Sequence, residues 1–354
     1  MREKFKPIRF PQDELAHDHI VEWWYWNGRL KGADGRDYAF MSCLFRTDIK
    51  KVKVPFLAKA PVKTLYFYHA ILSDLTRGKW ASLIELPTVI SNDSFSKPLL
   101  FVNHASPSRR NGYVNCAMEE TEKFAYLLRD QNIDLKLVSA KPPLLEGGKG
   151  FLDLQTKQTY YYSLTNLKTS GRIKVDGKWV DVSGKSWMDH QWANAAYSRD
   201  KWSWFSIQLD NETELVCCEY EDRGAKTLLA DISYPDGRQE HCADLELAPL
   251  GPVWTSKKTR ARYPSAWSIK VPSKRIDLLT MAIIKEQEMV FGPINYWEGP
   301  VDVNGRFGEA SVHGSGFMEL AGYPSKYTNA RAASEEFENK MQGLLKNFKK
   351  SFSK

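Results

Sequence analysis

Glu22-Trp23-Trp24-Tyr25-Trp26 and Trp202-Ser203-Trp204-Phe205 open two matching stretches of this chain, and reading them together decides the fold. A leucine stands seven residues after the first tryptophan in each, Leu30 and Leu209. A polar turn follows each leucine, Lys31 to Arg36 and Asp210 to Glu212. Each turn leads into a second apolar run that holds cysteine, Tyr38 to Phe45 and Leu215 to Tyr220. Strand, turn, strand is a β-hairpin, and here it occurs twice. Two related β-units with this much aromatic surface predict paired barrels around an apolar interior.

Composition supports that reading and excludes others. The chain has 354 residues, enough for two cores. Apolar content of 42% and charged content of 26% are ordinary for a globular protein. Aromatics are the outlier at 13%, with 12 tryptophans; they favour strands and line apolar cavities. Net charge is +7, and residues 325–354 carry seven Lys/Arg against three Glu. The body is therefore too weakly basic for a nucleic-acid surface. No apolar run of about 18 residues predicts a membrane span. The N-terminal stretch has no apolar signal region, and the five cysteines (43, 116, 217, 218 and 242) include no CxxC pair. Both features predict a reduced, cytoplasmic protein.

The predicted organisation is an N-terminal arm over 1–20, a first β-barrel over 21–195, a second over 196–324 and a helical tail over 325–354. Asp34-Gly35, Asp176-Gly177, Asp236-Gly237 and Asn304-Gly305 read as turns. Asn27-Gly28 lies inside strand text and marks a bulge or a close backbone approach. Residues 103–111, 139–150 and the proline-bearing 248–264 read as loops. In the tail, Phe337, Met341, Leu344, Leu345, Phe348 and Phe352 fall on one helical face. Lys340, Lys346, Lys349 and Lys350 lie opposite, so the segment 334–354 packs on the barrels or lies on a membrane surface.

Three clusters could carry chemistry. Ser186-Trp187-Met188-Asp189-His190-Gln191-Trp192 joins a carboxylate, an imidazole and two indoles. A histidine flanked by tryptophans suits acid–base work. In Glu219-Tyr220-Glu221-Asp222, alternation places Tyr220 and Asp222 on one face. A carboxyl in a dry aromatic pocket keeps its proton and can donate it. The third is Glu22 with His17 and His19 upstream; no further ligand stands at a metal-site spacing, so no metal is expected. Trp297-Glu298 and Glu319 add carboxyls among apolar residues, where Glu319 reads most simply as structural, paired with an arginine. No GxGxxG, GxxxxGK[ST] or GxSxG element is present.

Glu22-Trp23-Trp24-Tyr25, the run Val182 to Trp192, Trp204-Phe205 with Gln208-Leu209, and Gly314 to Tyr323 together resemble the carotenoid 1,2-hydratase (CrtC) and AttH-like family. The resemblance spans about residues 17–324. It implies two tandem lipocalin-like β-barrels. It also implies addition of water, without cofactor, across an isolated terminal C=C of an acyclic carotenoid, and for this chain an elongated isoprenoid or lipid-like substrate. The family's His-x-Trp and Tyr-x-Asp pairs fall on His190 with Trp192 and on Tyr220 with Asp222. In that scheme Asp222 protonates the alkene, Trp192 and Tyr220 face the cation, and His190, oriented by Asp189, deprotonates water. Trp23, Trp24, Tyr25, Trp187, Trp204, Trp297, Glu298 and Glu319 would line the substrate. Two other readings stay open: a non-catalytic lipid carrier, and a hydrolase or cyclase on the same scaffold. The expected partner is a hydrophobic small molecule, not nucleic acid.

Overall fold

A computed structural model describes residues 3–51, 63–88, 91–93, 101–105, 115–195, 200–291 and 294–325. The segment 326–354, for which the sequence predicts a helix, and most of the 103–111 stretch lie outside the described residues. What is described is almost entirely antiparallel strand, interrupted by three single-turn 3-10 helices, Gln12–Glu14, Glu146–Gly148 and Pro272–Lys274. The strands form a thirteen-stranded and a ten-stranded sheet. Each is a curled, lipocalin-like sheet, as the doubled hairpin predicts.

In the first sheet the opening strand Val21–Gly32 pairs on one side with Asp37–Asp48. On the other side it pairs with Lys178–Ala193, the last strand of the sheet in sequence. That strand forms a closing hairpin with Gln158–Val175. Pairing first to last is what curls the sheet. The second sheet repeats the device: its opening strand Lys201–Leu209 pairs with Ala310–Ala321, which closes a hairpin with Ile294–Phe307. Contacts divide the chain into two compact units. The first holds residues 1–196 with 210–215 and 230–242; the second holds 197–209, 216–229 and 243–354.

Alternating side chains explain the core. Trp24, Trp26 and Leu30 point to the inside of the first sheet with Tyr38, Phe40, Tyr162, Leu164 and Trp192, and all are buried. Ile8, Phe10 and Ala16 from the N-terminal arm pack on this core. Asp176-Gly177 is a two-residue turn with φ of 49° and 81°, the left-handed pair such a hairpin needs.

Two local expectations change. Asn304-Gly305 is not a turn; it lies within the Ile294–Phe307 strand, where a Cβ on Gly305 would stand 2.2 Å from the Asp277 carbonyl oxygen. Glycine there serves close strand approach, as at Gly28, whose Cβ would meet Ser186 Oγ at 2.2 Å. Residues 248–264 are not one loop either. Glu246–Thr255 is a strand at the sheet's end, and Arg262–Val271 pairs with it. An edge strand tolerates Pro249 and Pro252 because their missing N–H groups are not required by a second neighbour.

Candidate functional site

The closing strand of the first unit carries two polar clusters, one on each face, because adjacent residues of a strand point opposite ways. On the inner face, His190 sits opposite Trp24 and Tyr162. Its ring lies 4.8 Å from that of Trp24 and 4.8 Å from that of Trp192. His190 is fully buried, as is Glu22. His190 Nε2 is 2.9 Å from Glu22 Oε1, and Nδ1 is 3.2 Å from the Tyr162 hydroxyl. The Tyr162 hydroxyl donates to Glu14 Oε1 at 2.7 Å, and Tyr126 donates to the other oxygen of Glu14.

Glu22 gathers further donors. His17 Nδ1 stands 2.7 Å from its Oε1, and the His17 backbone N–H donates to Oε2 at 2.9 Å. Arg46 Nη1 approaches Oε2 at 3.4 Å. His17 stacks on Trp192 with centroids 3.9 Å apart, and its Nε2 reaches Asp13 at 3.2 Å. His17 Nδ1, Glu22 Oε1 and His190 Nε2 all lie within 4.8 Å of one another, a set able to hold a metal ion. The arm covers this face: Phe10 packs edge-on to Tyr162 at 4.9 Å, and Trp24 Nε1 donates to the Glu14 carbonyl at 3.1 Å.

Environment sets the charges. Burial pushes the His190 imidazole down to about 4 despite the Glu22 carboxylate, so it is neutral at pH 7. Burial pushes Glu22 up, but hydrogen bonds from His17 and His190 outweigh it and hold the carboxyl down to about 2. Burial also opposes charge on His17, yet hydrogen bonds to Asp13 and Glu22 raise it above the usual histidine range.

On the outer face, Asp189 accepts from Trp187 Nε1 at 2.6 Å, Tyr161 Oη at 2.7 Å and Ser163 Oγ at 2.6 Å. Ser163 Oγ also lies 2.8 Å from Glu146 Oε1. A hydroxyl has one proton for two carboxyl groups, so one of them must carry its own. Glu146 is that one. Burial, then the neighbouring Asp231 and Asp189 charges, raise its carboxyl well above the ordinary range. Asp231 itself accepts from the Gly147 N–H at 3.0 Å and lies 2.9 Å from His241 Nδ1. Tyr25 is opposite Asp189 on this face, and Trp23, half-buried, precedes it by two.

The second unit holds the remaining expected residues. Tyr220 and Asp222 are buried on one strand face, as alternation predicts. Tyr220 Oη donates to Asp200 at 2.7 Å, and Arg223 Nε lies 3.9 Å from Asp222. Trp204 stands opposite Glu319, and Glu298 stands opposite Glu319 on the other side. Trp297 is buried and donates to the Lys285 carbonyl at 2.7 Å. A shallow hollow of only about 10 Å³ lies among Met41, Ala70, Ile71, Leu83, Asp130 and Ile133. None of the expected site residues lines it.

Two expected pairings are corrected. Asp189 does not orient His190; the two point to opposite faces, and Glu22 takes that role. Among the described residues Glu319 is not paired with an arginine; it accepts from Trp202 Nε1 at 2.7 Å and hydrogen-bonds Glu298. Burial raises its carboxyl above the usual range. The metal-capable set is not His17 with His19, because His19 Nε2 turns to Glu3 at 3.0 Å. Sequence reasoning missed Glu14, Arg46, Tyr162, Glu146 and Asp231. Glu22 was in the third sequence cluster, and period two already places it on one face with Trp24 and Trp26.

Tandem curled sheets with buried acid–base networks define a two-barrel, lipocalin-like protein. The chain belongs to the AttH-like family, which matches residues 2–323. It is 23% identical over 206 residues to the dehydratase asqC of Emericella nidulans, covering 53% of this chain and 57% of that protein. It is 23% identical over 224 residues to kievitone hydratase of Fusarium solani subsp. phaseoli, covering 59% of this chain and 63% of that protein. The chain thus spans under two thirds of the length of these curated relatives. The crystal structure of an AttH protein from Nitrosomonas europaea superposes with a TM-score of 0.69 at 23% identity, covering 90% of this chain and 98% of that one. Among the described residues no helix is long and apolar enough to cross a membrane.

Proposed function

We propose that the protein is a hydro-lyase that adds water across an isolated carbon–carbon double bond of an elongated apolar substrate, or eliminates water from the alcohol to form that bond. The observation that carries this reading is His190, buried and uncharged, held between Glu22 and Tyr162 against the faces of Trp24 and Trp192. In hydration a proton adds to the alkene and leaves a carbocation. Aromatic faces stabilise such a cation without reacting with it. Water then attacks, and its proton must leave as the C–O bond forms. The alkyloxonium formed by that attack is strongly acidic, so even a weakened imidazole accepts its proton. Glu22, ionised beside it, stabilises the imidazolium that results. Run backwards, the same groups eliminate water.

The names of the two relatives, a dehydratase and a hydratase, support the reaction class in both directions. The family resemblance assigns the initial proton transfer to Asp222 beside Tyr220. An isoprenoid or similar lipid is the substrate class that fits the aromatic content, and the basic segment 334–354 would bring the protein to membranes that hold such molecules.

Two measurements test this reading. The protein is incubated with an acyclic polyene and, separately, with kievitone, and products are identified by mass spectrometry. A product one water heavier is expected, with Asp222→Asn binding the substrate as tightly but not converting it. Tight binding without conversion by the parent protein would leave a lipid carrier instead.

A further inference from the structure

The inner-face histidines share a feature of metal-binding imidazoles. Each has one ring nitrogen held by an outer partner and turns the other toward a common carboxylate. His17 Nε2 is held by Asp13 at 3.2 Å, and its Nδ1 faces Glu22 Oε1 at 2.7 Å. His190 Nδ1 faces the Tyr162 hydroxyl at 3.2 Å, backed by Glu14, and its Nε2 faces Glu22 Oε1 at 2.9 Å. Aspartate behind one ring and a tyrosine–glutamate pair behind the other fix both ring orientations before any ion arrives.

We propose that His17 Nδ1, Glu22 Oε1 and His190 Nε2 are three ligands of a zinc-class transition-metal dication. The inference goes beyond the hydro-lyase reading and does not depend on it. Two imidazoles and one carboxylate suit zinc and its neighbours rather than magnesium or calcium, which prefer oxygen throughout. A tetrahedral ion about 2.1 Å from each donor would set the donors roughly 3.4 Å apart. The two nitrogen–oxygen separations, 2.7 and 2.9 Å, are shorter than that, and the widest of the three is bounded by 4.8 Å. Swinging the Glu22 carboxylate and drawing in His17, which is 16% exposed, would even them out.

Charge points the same way. The buried Glu14 and Glu22 and the partly exposed Asp13 place three carboxylates around the rings, faced by the Arg46 guanidinium and, when it is protonated, by His17 itself. A dication bound between the rings would take over the compensation that a protonated His17 gives in its absence. Among the described residues no other group of histidine, cysteine and carboxylate donors converges in this way.

The test uses full-length protein without a histidine tag, stripped with chelator and titrated with Co2+, then with Zn2+ in competition. One Co2+ per chain is expected, with the intense visible bands of a low-coordinate ion, displaced by Zn2+. His17→Ala should abolish those bands, and Asp13→Asn should weaken binding about 10- to 100-fold. His313→Ala, in the second unit, should change nothing. Near-ultraviolet circular dichroism checks that the variants are folded; if Glu22→Gln does not fold, the His17 and Asp13 variants still decide. Weak octahedral bands like those of aqueous Co2+, or tight binding that survives His17→Ala, would overturn the site. Loading would also bind the His190 ring to a cation and lower the basicity of its other nitrogen, so turnover should fall with occupancy. Full turnover in the loaded protein would remove His190 as the base but leave the ion site standing.

Discussion

The two units present one scaffold with different occupants. Aligning Trp23 with Trp202 aligns Glu22 with Lys201 and Trp24 with Ser203. Aligning the closing strands by their pairing sets His190 against Leu320 and Asp189 against Glu319. The hairpin partners follow: Tyr162 matches Trp297, and Ser163 matches Glu298. On the outer face both units keep a carboxyl next to a polar partner, Asp189 with Ser163 and Glu319 with Glu298. On the inner face only the first unit has the imidazole and its carboxylate. The second has leucine and lysine at those positions. The duplicated sheet is therefore shared, and among the described residues the imidazole–carboxylate network stands in the first copy.

Breaking that asymmetry gives the largest expected effect. Glu22→Gln removes the ionised partner of His190 and His17 from a fully buried site. Losing one member of such a network costs about 3–5 kcal/mol, and losing a positioned acid–base pair costs about 100-fold or more in turnover. Lys201→Gln at the equivalent, half-buried position should cost about 1 kcal/mol or less. Denaturant midpoints and product yields for the two variants measure the contrast. Equal losses would mean that both positions are merely structural.

Exchange of the paired residues sharpens it. His190→Leu gives the first unit the residue of the second and should abolish conversion. Leu320→His should leave conversion unchanged while destabilising the second unit by about 1–3 kcal/mol, because the new ring brings polar nitrogens into an apolar position. Loss of conversion only in Leu320→His would reverse the assignment.

A third pair tests the shared scaffold rather than its occupants. Gly184 and Gly314 are equivalent, and a Cβ would meet the Arg29 carbonyl oxygen at 2.1 Å in one and the Gln208 carbonyl oxygen at 2.4 Å in the other. Alanine at either position should cost a similar amount, about 1–3 kcal/mol, in thermal unfolding. A loss at only one would show that the two hairpins are packed differently.

The smallest effect is pH-dependent. Glu146 has a raised carboxyl, so the folded state holds a proton that the unfolded chain releases above the ordinary carboxylate range. Stability is lost as pH rises from that range through the raised folded value. Glu146→Gln keeps a neutral side chain at every pH, so it should flatten that decline without changing stability at low pH. Denaturation curves across pH separate the two proteins; parallel curves would show that Glu146 is ionised when folded.

Much of the fold was legible because its markers are local. Tryptophan, leucine and cysteine recur at matching offsets, and each sits on a strand whose alternation can be read directly. The site was legible only as ingredients. His190, Trp192 and Asp189 stand out in the sequence, but adjacency there means opposition on a strand, so the obvious Asp189–His190 pair is the one the pleat forbids. Its true partner, Glu22, is 168 residues away and depends on strand pairing. Glu14, Arg46, Tyr162 and Asp231 reach the clusters from an arm, a neighbouring strand, the closing hairpin and a segment beyond residue 196. No spacing rule connects such positions. The histidine spacing of His17 and His19 misleads for the same reason, since the ring that joins His17 comes from the far end of the unit.

The most direct test of the central claim is oxygen-18 incorporation from labelled water into an apolar alkene, comparing the parent protein with His190→Leu and Leu320→His. Label is expected in the product of the parent and of Leu320→His, and none with His190→Leu in a variant that still folds and binds. Undiminished labelling by folded His190→Leu would contradict it, and the buried imidazole of the first unit would then be a structural element alone.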